Sequence, residues 1–394
     1  MPSSRAYIHF ETSNPMSTLF LGAGTNYIIE TPTGVLYIVY VDVNSDVVFR
    51  KSTNKGLTWS LPTVVFTGTV TNLSVWYDRW SNIAAGLIHC AYTESVTDDT
   101  LYRTINTESS DALSTQTSIF AGASTLAGGC LSICRARGGN VYCATMIDAG
   151  TEGGFFRLPN ANVPNGAWDA ARATVFEAAT SDQVILMPGW AADNQDMMAF
   201  FWDASADEIS RKLYDDSANS WAEASIATGM VDQAASVTFP SFSGVVDITN
   251  SRNLLLAWSA VDAANADLRM WRVTESSISE QTNVVLNSTD DQGMCALALD
   301  TTTGRLYAIY CGKSDGSETY GTTVNVYYKV STDGGSTWGP ETAATATALD
   351  LYGLMVTPRF LNQFLFLTMV DAPTDEAMIS VAIALPKAQF MLGM

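Results

Sequence analysis

The sequence lacks the features that define several common protein classes. No stretch approaches the run of about 18 apolar residues that a membrane-spanning helix needs, so we expect no membrane insertion. None of the six cysteines stands in a C-x-x-C pair and the two histidines are far apart, which excludes a zinc framework. The first residues, MPSSRAYIHFETS, contain no apolar core of a signal peptide. We therefore expect no signal peptide, a virion or cytoplasmic location, and buried, reduced cysteines.

Basic residues are also scarce. The chain carries 20 Lys and Arg against 40 Asp and Glu, a net charge of −20. This excess of negative charge repels the phosphates of nucleic acids, and we expect no nucleic-acid partner. Hydrophobic residues make up 47% of the chain and charged residues only 15%, which excludes a disordered chain and favours many buried strands.

The most informative feature that is present is a repeat. Similar apolar segments recur at intervals of roughly 50–60 residues, enough for four strands and their turns. No helical periodicity of useful length lies between them. The spacing predicts an all-β fold, a single seven-bladed β-propeller of four-stranded antiparallel blades that spans residues 1–394. The seven segments begin at Gly34, Ala84, Gly139, Asp196, Arg252, Gly304 and Gln363.

The strands of each repeat can be placed from its turns. We name them A to D, from the central channel outward. The first unit predicts strands over 26–30, 35–41, 47–52 and 62–66. The seventh unit has sequence for strands A to C but none for D. The N-terminal segment 5–13 is predicted to supply that strand, which closes the ring and removes the open sheet edges of a linear stack.

An eight-residue motif stands between strands C and D of two units. Residues 331–338, STDGGSTW, match the pattern S-x-D-x-G-x-T-W at every defined position, and residues 52–59, STNKGLTW, match with Asn in place of Asp. Weaker versions occur at 164–168 and 215–221. In such a turn Asp or Asn caps backbone N–H groups, Gly adopts a conformation closed to other residues, and Trp packs against the blade.

On these two motifs the chain resembles the sialidase-like Asp-box (BNR repeat) β-propeller superfamily. The resemblance implies a propeller over the whole length, with structural Asp boxes on the face away from the active site. We expect each motif Trp to fill its blade, and we expect replacement of Trp338 by Ala to cost roughly 3–5 kcal/mol of stability, as a core residue does. The residues that take this structural role are Ser52, Asn54, Gly56, Trp59, Ser331, Asp333, Gly335 and Trp338.

The predicted blade order divides the turns between two faces. We call the face of the A–B and C–D turns the box face, and the face of the B–C and D–A loops the loop face. Every B–C loop is acidic, with Lys313 as the one basic residue among them, whereas the A–B turns carry arginines. Asp is a common turn residue, but its repetition in seven units predicts a disc with one sign of charge on each face.

Side chains just before the A strands are predicted to ring the channel mouth on the loop face. Asp-Gln pairs precede three of these strands, and Asp or Asn stands at the equivalent place in others. Such a ring of acceptors and amides can bind a polar ligand by hydrogen bonds. The candidate ligand-binding residues are Asn26, Asn72, Asp182, Gln183, Asp232, Gln233, Asp291, Gln292 and Asp350.

Sialidase activity is not expected. A sialidase needs an arginine cluster that grips the substrate carboxylate, and each missing charge-assisted contact forfeits roughly 1.5–3 kcal/mol. Arg157, in the segment FRLP, is similar to the arginine of the family's Phe-Arg-Ile-Pro segment. It lies after the first box, however, whereas the family carries that segment before the boxes. We interpret Arg157 as a strand or loop residue.

The favoured hypothesis is a non-catalytic module that binds or assembles. It would recognise a glycan or a protein partner, most simply in a virion, as a bacteriophage tail, fibre or capsid-attached protein. Assembly into homo-oligomers is left open. No catalytic residue, metal or cofactor is assigned, although acidic loops such as 315–318 offer the oxygen ligands that Ca²⁺ prefers.

The alternative is a glycoside hydrolase that acts on a neutral polysaccharide. A carboxylate-rich face can supply two acids spaced for hydrolysis with inversion. Trp190 or Tyr320 could serve as a stacking platform. The candidate acids are Asp182, Asp232, Asp291 and Asp350.

The third unit allows a prediction of strand register. Gly138-Gly139 is predicted as a two-residue hairpin turn, which pairs Arg137 with Asn140 and, counting outward, Cys134 with Cys143. The Cα atoms of such a non-hydrogen-bonded pair lie about 4.5 Å apart, near the lower limit for a disulfide. We therefore expect two neighbouring reduced thiols that an oxidant can link.

Overall fold

The structure is a computed structural model in which strands and turns account for nearly all of the described chain. Two short 3-10 turns, Asn160–Asn162 and Ile248–Asn250, interrupt them. No helix within the described part of the chain is long and apolar enough to cross a membrane. The structure describes residues 8–11, 27–77, 86–122, 131–146, 152–172, 176–177, 183–203, 206–230, 242–260, 266–286, 293–315, 317–318, 325–345, 351–361, 364–371 and 377–384.

The strands form seven sheets, which we number in chain order. The chain begins with β1 (Ile8–Glu11). Sheet 1 contains β2 (Ile28–Glu30), β3 (Leu36–Val41), β4 (Val47–Ser52) and β5 (Thr63–Phe66). Sheet 2 contains β6 (Val70–Tyr77), β7 (Leu87–Glu94), β8 (Asp99–Asn106), β9 (Ala112–Leu113) and β10 (Thr117–Phe120). Sheet 3 contains β11 (Ser132–Arg135), β12 (Val141–Met146), β13 (Glu152–Leu158) and β14 (Phe176–Glu177).

The second half of the chain continues the pattern. Sheet 4 contains β15 (Gln183–Pro188), β16 (Met197–Asp203), β17 (Glu208–Asp215) and β18 (Ser220–Thr228). Sheet 5 contains β19 (Phe242–Asp247), β20 (Arg252–Ala260), β21 (Ala266–Val273) and β22 (Ile278–Glu280). Sheet 6 contains β23 (Gly293–Asp300), β24 (Leu306–Cys311), β25 (Val326–Ser331) and β26 (Thr342–Ala343). Sheet 7 contains β27 (Leu351–Val356), β29 (Phe364–Asp371), β30 (Ala377–Ala384) and β1, while β28 (Arg359–Phe360) pairs with β23 of sheet 6.

The sheets are arranged around a common centre. From sheet 2 to sheet 7 the innermost strands of consecutive sheets contact each other in chain order; β3 of sheet 1 contacts β6 of sheet 2, and sheet 7 returns to contact β2 of sheet 1. A hydrogen bond of 2.9 Å from the Leu361 N–H to Glu30 Oε2 spans that junction. The prediction of an all-β propeller with mostly four-stranded antiparallel blades is confirmed. Six sheets are each formed by one continuous segment of the chain, with β28 added to sheet 6. Sheet 7 instead combines strands from both ends of the chain.

The second strand of each unit is buried on both faces. All residues of β3, β7 and β24 are buried. Neighbouring sheets cover both faces of such a strand, so its sequence is a continuous apolar run with no polar side. The outer strand β18 is instead largely exposed along its length. The apolar segments seen in the sequence are therefore the B strands, which place the loops between B and C on one face of the disc.

Serine side chains join the inner strands of adjacent sheets. Ser74 Oγ accepts a hydrogen bond of 3.0 Å from the Ile133 N–H of sheet 3, and Ser132 Oγ accepts one of 2.9 Å from the Leu186 N–H of sheet 4. The same bond recurs between sheets 5 and 6, where Leu297 N–H donates to Ser243 Oγ. An inner strand has no paired neighbour on its channel side, so these bonds satisfy buried backbone donors that the sheet leaves over.

The predicted register of the third unit is wrong by one residue. Cys134 pairs with Tyr142, and Ile133 pairs with Cys143. The turn contains three residues, because Ala136 pairs its N–H with the Asn140 carbonyl and Gly139 takes a positive φ of 102°. A one-residue shift moves a side chain to the opposite face of the strand. The two cysteines are free and buried on opposite faces of the sheet, so the expected oxidant-linked pair is ruled out.

The pairing of β1 with β30 leads to a test by truncation. Ile8 and His9 pair with Ser380 and Ile379, across a register shift before Glu11. Deleting residues 1–12 removes this strand and leaves the edge of β30 open. We expect the melting temperature to fall by about 5 °C or more and the protein to aggregate on heating. A deletion of residues 1–6, which leaves β1 intact, is the control. Equal melting of both truncated proteins and the full chain would show that β1 contributes no stability.

Candidate functional site

Two of the residues predicted at the channel mouth lie in the described part of the chain. They are Asn72 in β6 and Gln183 at the start of β15, and both are buried, with 4% and 5% of their surface exposed. They occupy equivalent places near the loop-face ends of their inner strands. The other seven predicted residues, Asn26, Asp182, Asp232, Gln233, Asp291, Gln292 and Asp350, lie outside the described residues.

The Asn72 side chain bonds to the backbone of its own strand. It follows a register shift in β6 and pairs with Thr93. Its Oδ1 accepts a hydrogen bond of 2.9 Å from the Leu73 N–H. Asn72 shares a strand face with Ser74, which bonds to sheet 3, so its side chain lies at the junction of sheets 2 and 3.

Gln183 lies at the junction of sheets 4 and 5. It pairs with Trp202, whose ring packs edge-on against Phe242 of sheet 5 with centroids 5.6 Å apart. Met187, on the same face of β15, lies against Gly244 of sheet 5, where an added Cβ would stand 1.9 Å from the Met187 Cε. The Gln183 Oε1 is buried and has no hydrogen-bond partner among the described residues, as is also true of Ser210 Oγ and Asn253 Oδ1. Such an atom costs about 1–3 kcal/mol if nothing donates to it.

The acidic B–C loops use their carboxylates to hold their own backbone. Asp42 Oδ1 accepts from the N–H groups of Asn44 and Asp46, at 2.9 and 3.0 Å. Glu94 accepts from the N–H groups of Val96 and Thr97, at 2.8 and 2.9 Å. Glu318, Asp315 and Asp203 cap their loops in the same way. These acidic residues therefore act as turn residues that cap backbone N–H groups.

These bonds also set the charge of the loop carboxylates. Burial acts to raise the pKa of Glu94, but hydrogen bonds from Thr97 and Val96 outweigh it and the pKa is lowered. Contact with Lys313 and bonds from Ser317 lower the pKa of Asp315 to about 2. A general acid for glycoside hydrolysis needs a raised pKa instead. Glu94 and Asp315 are therefore unsuited to that role.

No metal site is seen on either face within the described residues. No group of three or more His, Cys, Asp or Glu side chains in those ranges could hold a metal ion. The loop at 315–318, singled out for Ca²⁺ in the sequence, binds its own backbone and side chains: Asp315 accepts from the Ser317 N–H, and Glu318 accepts from the Asn325 N–H.

Both motif turns have the expected geometry on the box face. In the second, Ser331 Oγ donates to Asp333 Oδ1 at 2.7 Å and accepts from the Gly335 N–H at 2.7 Å, while Asp333 Oδ1 accepts from the Thr337 N–H at 2.9 Å. Gly335 has a φ of 97°. In the first, the same three bonds link Ser52, Asn54, Gly56 and Thr58 at 2.8–2.9 Å. Each turn is thus closed by its own side chains.

The expectation for the box tryptophans needs correction. Trp338 and Trp59 are only partly buried and pack against the edge of the core. Trp338 donates from Nε1 to the Thr282 carbonyl of sheet 5 at 3.1 Å. It therefore joins two sheets at the surface, and its truncation removes less buried area than the 3–5 kcal/mol of a full core residue requires.

Basic residues on the box face tie neighbouring sheets together. Arg157 lies in β13, as interpreted from the sequence, and forms ion pairs with Asp169 and with Asp216 of sheet 4 at 2.6 and 2.9 Å. Arg272 donates to the Gly334 carbonyl of sheet 6 at 2.8 Å. Lys51 of sheet 1 pairs with Asp111 of sheet 2. Arg157 is thus a structural residue and not part of a substrate clamp.

The sequence did not single out Asp196, which has the most unusual carboxyl environment on the box face. Burial, and to a smaller extent the nearby charges of Asp193, Asp215 and Glu275, raise its pKa to about 6, against the bond from the Asp216 N–H. Perturbed groups of this kind mark candidate sites. Here the carboxylate caps the turn that carries Asp216, which is a structural use. No motif in the sequence pointed to it.

Trp190 does not offer a free stacking platform. The Arg137 guanidinium lies 5.2 Å from the centre of its ring, and the ring packs against the core. Its backbone N–H donates to Glu275 Oε2 at 2.9 Å. Trp190 also lies in an A–B turn of the box face, away from Gln183. Tyr320 lies outside the described residues.

Comparisons with known proteins support the fold. No family model and no curated protein matches the sequence. An ulvan lyase, from a new family of polysaccharide lyase, is similar at 8% identity over 96% of both chains, with a TM-score of 0.59. The hydrazine synthase of Kuenenia stuttgartiensis is similar at 9% identity over 94% of this chain and 97% of its own, with a TM-score of 0.55. A Hadza microbial sialidase reaches a TM-score of 0.49 at 13% identity, over 91% of this chain and 65% of its own.

At these identities the likeness shows a β-propeller and nothing finer. Carbohydrate-active propellers are among the similar structures, and so is an enzyme of nitrogen chemistry. One fold can carry many unrelated functions. The function must therefore be argued from the residues of this chain.

The charge of Asp333 in the second motif turn can be tested by pH. Hydrogen bonds from Thr337 and Ser331 lower its pKa to about 2, below the unfolded value near 4. Its contribution to stability is therefore present above pH 4 and is lost as the pH falls from about 4 to 2. We expect Asp333→Asn to keep the turn, as Asn54 does in the first motif, and to flatten the melting temperature over this range. Asp333→Ala should melt lower at neutral pH. Identical pH profiles for the native chain and Asp333→Asn would contradict this role.

Proposed function

We propose that this protein is a non-catalytic β-propeller that binds a glycan on its loop face, near the channel mouth. The observation that carries the proposal is Gln183, a buried amide near the loop-face end of β15 whose Oε1 has no donor among the described residues. Its equivalent in sheet 2, Asn72, is satisfied by its own backbone. One unsatisfied acceptor at a junction of two sheets fits a ligand that brings a hydroxyl group, and sugars are rich in hydroxyl groups.

The similar structures are consistent with a glycan as the ligand. The ulvan lyase was also solved bound to -[GlcA(1-4)Rha3S]-, at 8% identity and a TM-score of 0.58. A propeller of similar fold thus binds a saccharide. A hydroxyl donor of any kind would satisfy Gln183, but a glycan adds several hydroxyls at once, which a ring of amides and carboxylates can match.

The use of the loop carboxylates favours binding over catalysis. Glu94, Asp42 and Asp203 are fixed as caps of their own turns. A hydrolase instead needs two carboxyl groups that face the substrate, one of them protonated. The glycoside hydrolase alternative depends on Asp182, Asp232, Asp291 and Asp350, which lie outside the described residues. Hydrolysis of a neutral polysaccharide that is abolished by Asp→Asn at one of these positions would establish it.

We also propose the finer features of the architecture. All seven sheets are blades of one ring, β1 closes it through β30, and the two motif turns are Asp boxes of the BNR kind. The contacts of consecutive inner strands, including those between sheets 7 and 1, support the closed ring. A virion is the proposed setting, as part of a bacteriophage tail, fibre or capsid. Because the proposed ligand binds the loop face, the box face is available for attachment to the virion.

A glycan array tests the proposal. We expect the native protein to bind at least one class of oligosaccharide and to release no sugar from it. Gln183→Ala should weaken that binding about tenfold, because it removes one hydrogen bond worth roughly 0.5–1.5 kcal/mol and the shape that supports it. Gln281→Ala removes an amide near Ser279 on the outer strand of sheet 5 and serves as the control. Both variants should melt close to the native protein. Unchanged binding by Gln183→Ala would move the ligand away from this junction.

A further inference from the structure

We infer that the loop-face site selects neutral glycans and rejects sulfated or uronic-acid glycans. This inference rests on the glycan binding proposed above and names the class of glycan. It differs from the ligand of the similar ulvan lyase, whose bound saccharide carries both a uronic acid and a sulfate. The distribution of charge and the kind of atom left unsatisfied both lead to it.

The described loop face carries carboxylates with almost no cation to balance them. Of the basic residues in the described ranges, Lys313 alone belongs to a B–C loop, and its Nζ lies 2.5 Å from Asp315 Oδ2. The other described Lys and Arg residues lie in the C strands, in the A–B and C–D turns, at the end of A strand β11 or at the start of B strand β20. The carboxylates of the described B–C loops are Asp42, Asp46, Glu94, Asp98, Asp99, Asp203, Asp207, Glu208, Asp315 and Glu318.

Two of these carboxylates, Glu94 and Glu318, are held in the charged form by hydrogen-bond donors. Glu94 and Glu318 are bonded by backbone N–H groups, and both have lowered pKa values despite the opposite effect of burial. A neutral glycan has no net charge for these carboxylates to repel, whereas every sulfate or uronate group is repelled by them. The basic residues that an anionic glycan needs are already engaged across the sheet junctions of the box face, as Arg157 and Arg272 are.

The atom left free at the site gives an independent reason. The Gln183 atom without a partner is its acceptor oxygen. A sugar hydroxyl can donate to this oxygen, whereas an ionised sulfate or carboxylate has no hydrogen to donate and could bond only to the neighbouring Nε2. Arg269 of sheet 5 lies nearby, since it contacts Met230, whose carbonyl accepts from the Trp202 indole, but its charge is paired with Glu280 at 2.8 Å. Charge at long range and hydrogen-bond type at short range thus agree.

Paired ligands provide the test. Galacto- and rhamno-oligosaccharides, each in a neutral and a chemically sulfated form, are titrated against the full-length protein by calorimetry at about 0.01 M and about 1 M salt, where the screening length is roughly 30 and 3 Å. We expect the neutral form to bind at least about tenfold more tightly at low salt, with a smaller gap at high salt. Gln183→Ala should weaken the neutral form.

A matched pair of charge variants separates the field from the fold. Asp98 and Asp207 have positive φ angles of 55° and 52°, which Asn tolerates, so the double variant Asp98→Asn, Asp207→Asn removes two loop-face charges with little strain. It should bind the sulfated ligand severalfold more tightly than the native protein does. The control, Asp193→Asn with Asp215→Asn, removes the same charge from the box face and should leave the gap unchanged.

Two outcomes overturn different claims. If the sulfated form binds as well as the neutral form at low salt, the inferred selectivity is wrong and glycan binding stands. If neither form of any oligosaccharide on the array binds, the glycan-binding function itself is wrong. An equal response of the two double variants would show that the selectivity does not arise from the loop face.

Discussion

The structure depends on the contact of each inner strand with the sheet next to it. An inner strand pairs with a neighbour on one side only, yet it is buried in the centre of the disc, where an unpaired N–H or carbonyl is costly. The serines at 74, 132 and 243 satisfy such donors in the following sheet. Tyr27 does the equivalent for a carbonyl, since its hydroxyl donates to Leu73 at 3.1 Å. A sheet cannot therefore be removed without leaving its neighbour's backbone unsatisfied, which makes the ring, rather than the single blade, the folding unit.

The predictable parts of this fold are those in which the local sequence decides the outcome. The apolar B strands are visible because both of their faces are buried, and the motif turns are visible because all of their bonds lie within eight residues. The hairpin of the third unit was misplaced because Gly138-Gly139 fits two kinds of turn. The three-residue form is held by contacts with the neighbouring sheet, where Gly138 N–H donates to the Asn194 carbonyl and Gln195 bonds to Asn140. No pattern in the hairpin itself contains that information.

The sequence predicted the sign of the charge on each face but not what the charged side chains do. The acidic loops and basic turns lie on the faces that the blade order predicts, yet most of the described charges act inside the protein. Carboxylates such as Asp42 hold their own loops, and arginines such as Arg157 bridge sheets. The sequence could not show this, because a cap within four residues and a solvent-exposed Asp look alike in a turn. Burial and partners, which depend on the neighbouring sheet, separate the two.

Burial and hydrogen-bond partners also distinguish Gln183, the residue on which the proposed ligand site depends. Two polar groups near it have partners: the Ser132 hydroxyl of the preceding sheet accepts from the Leu186 N–H at 2.9 Å, and the Trp202 indole donates to the Met230 carbonyl at 3.2 Å. A closed ring offers few ways to move a strand toward an unsatisfied atom, because each sheet is held on both sides. The protein therefore cannot relax to satisfy Gln183 without opening a junction. In the proposed site the ligand would supply the hydrogen-bond donor that Gln183 lacks, and the charge of the loop-face carboxylates would disfavour an anionic ligand.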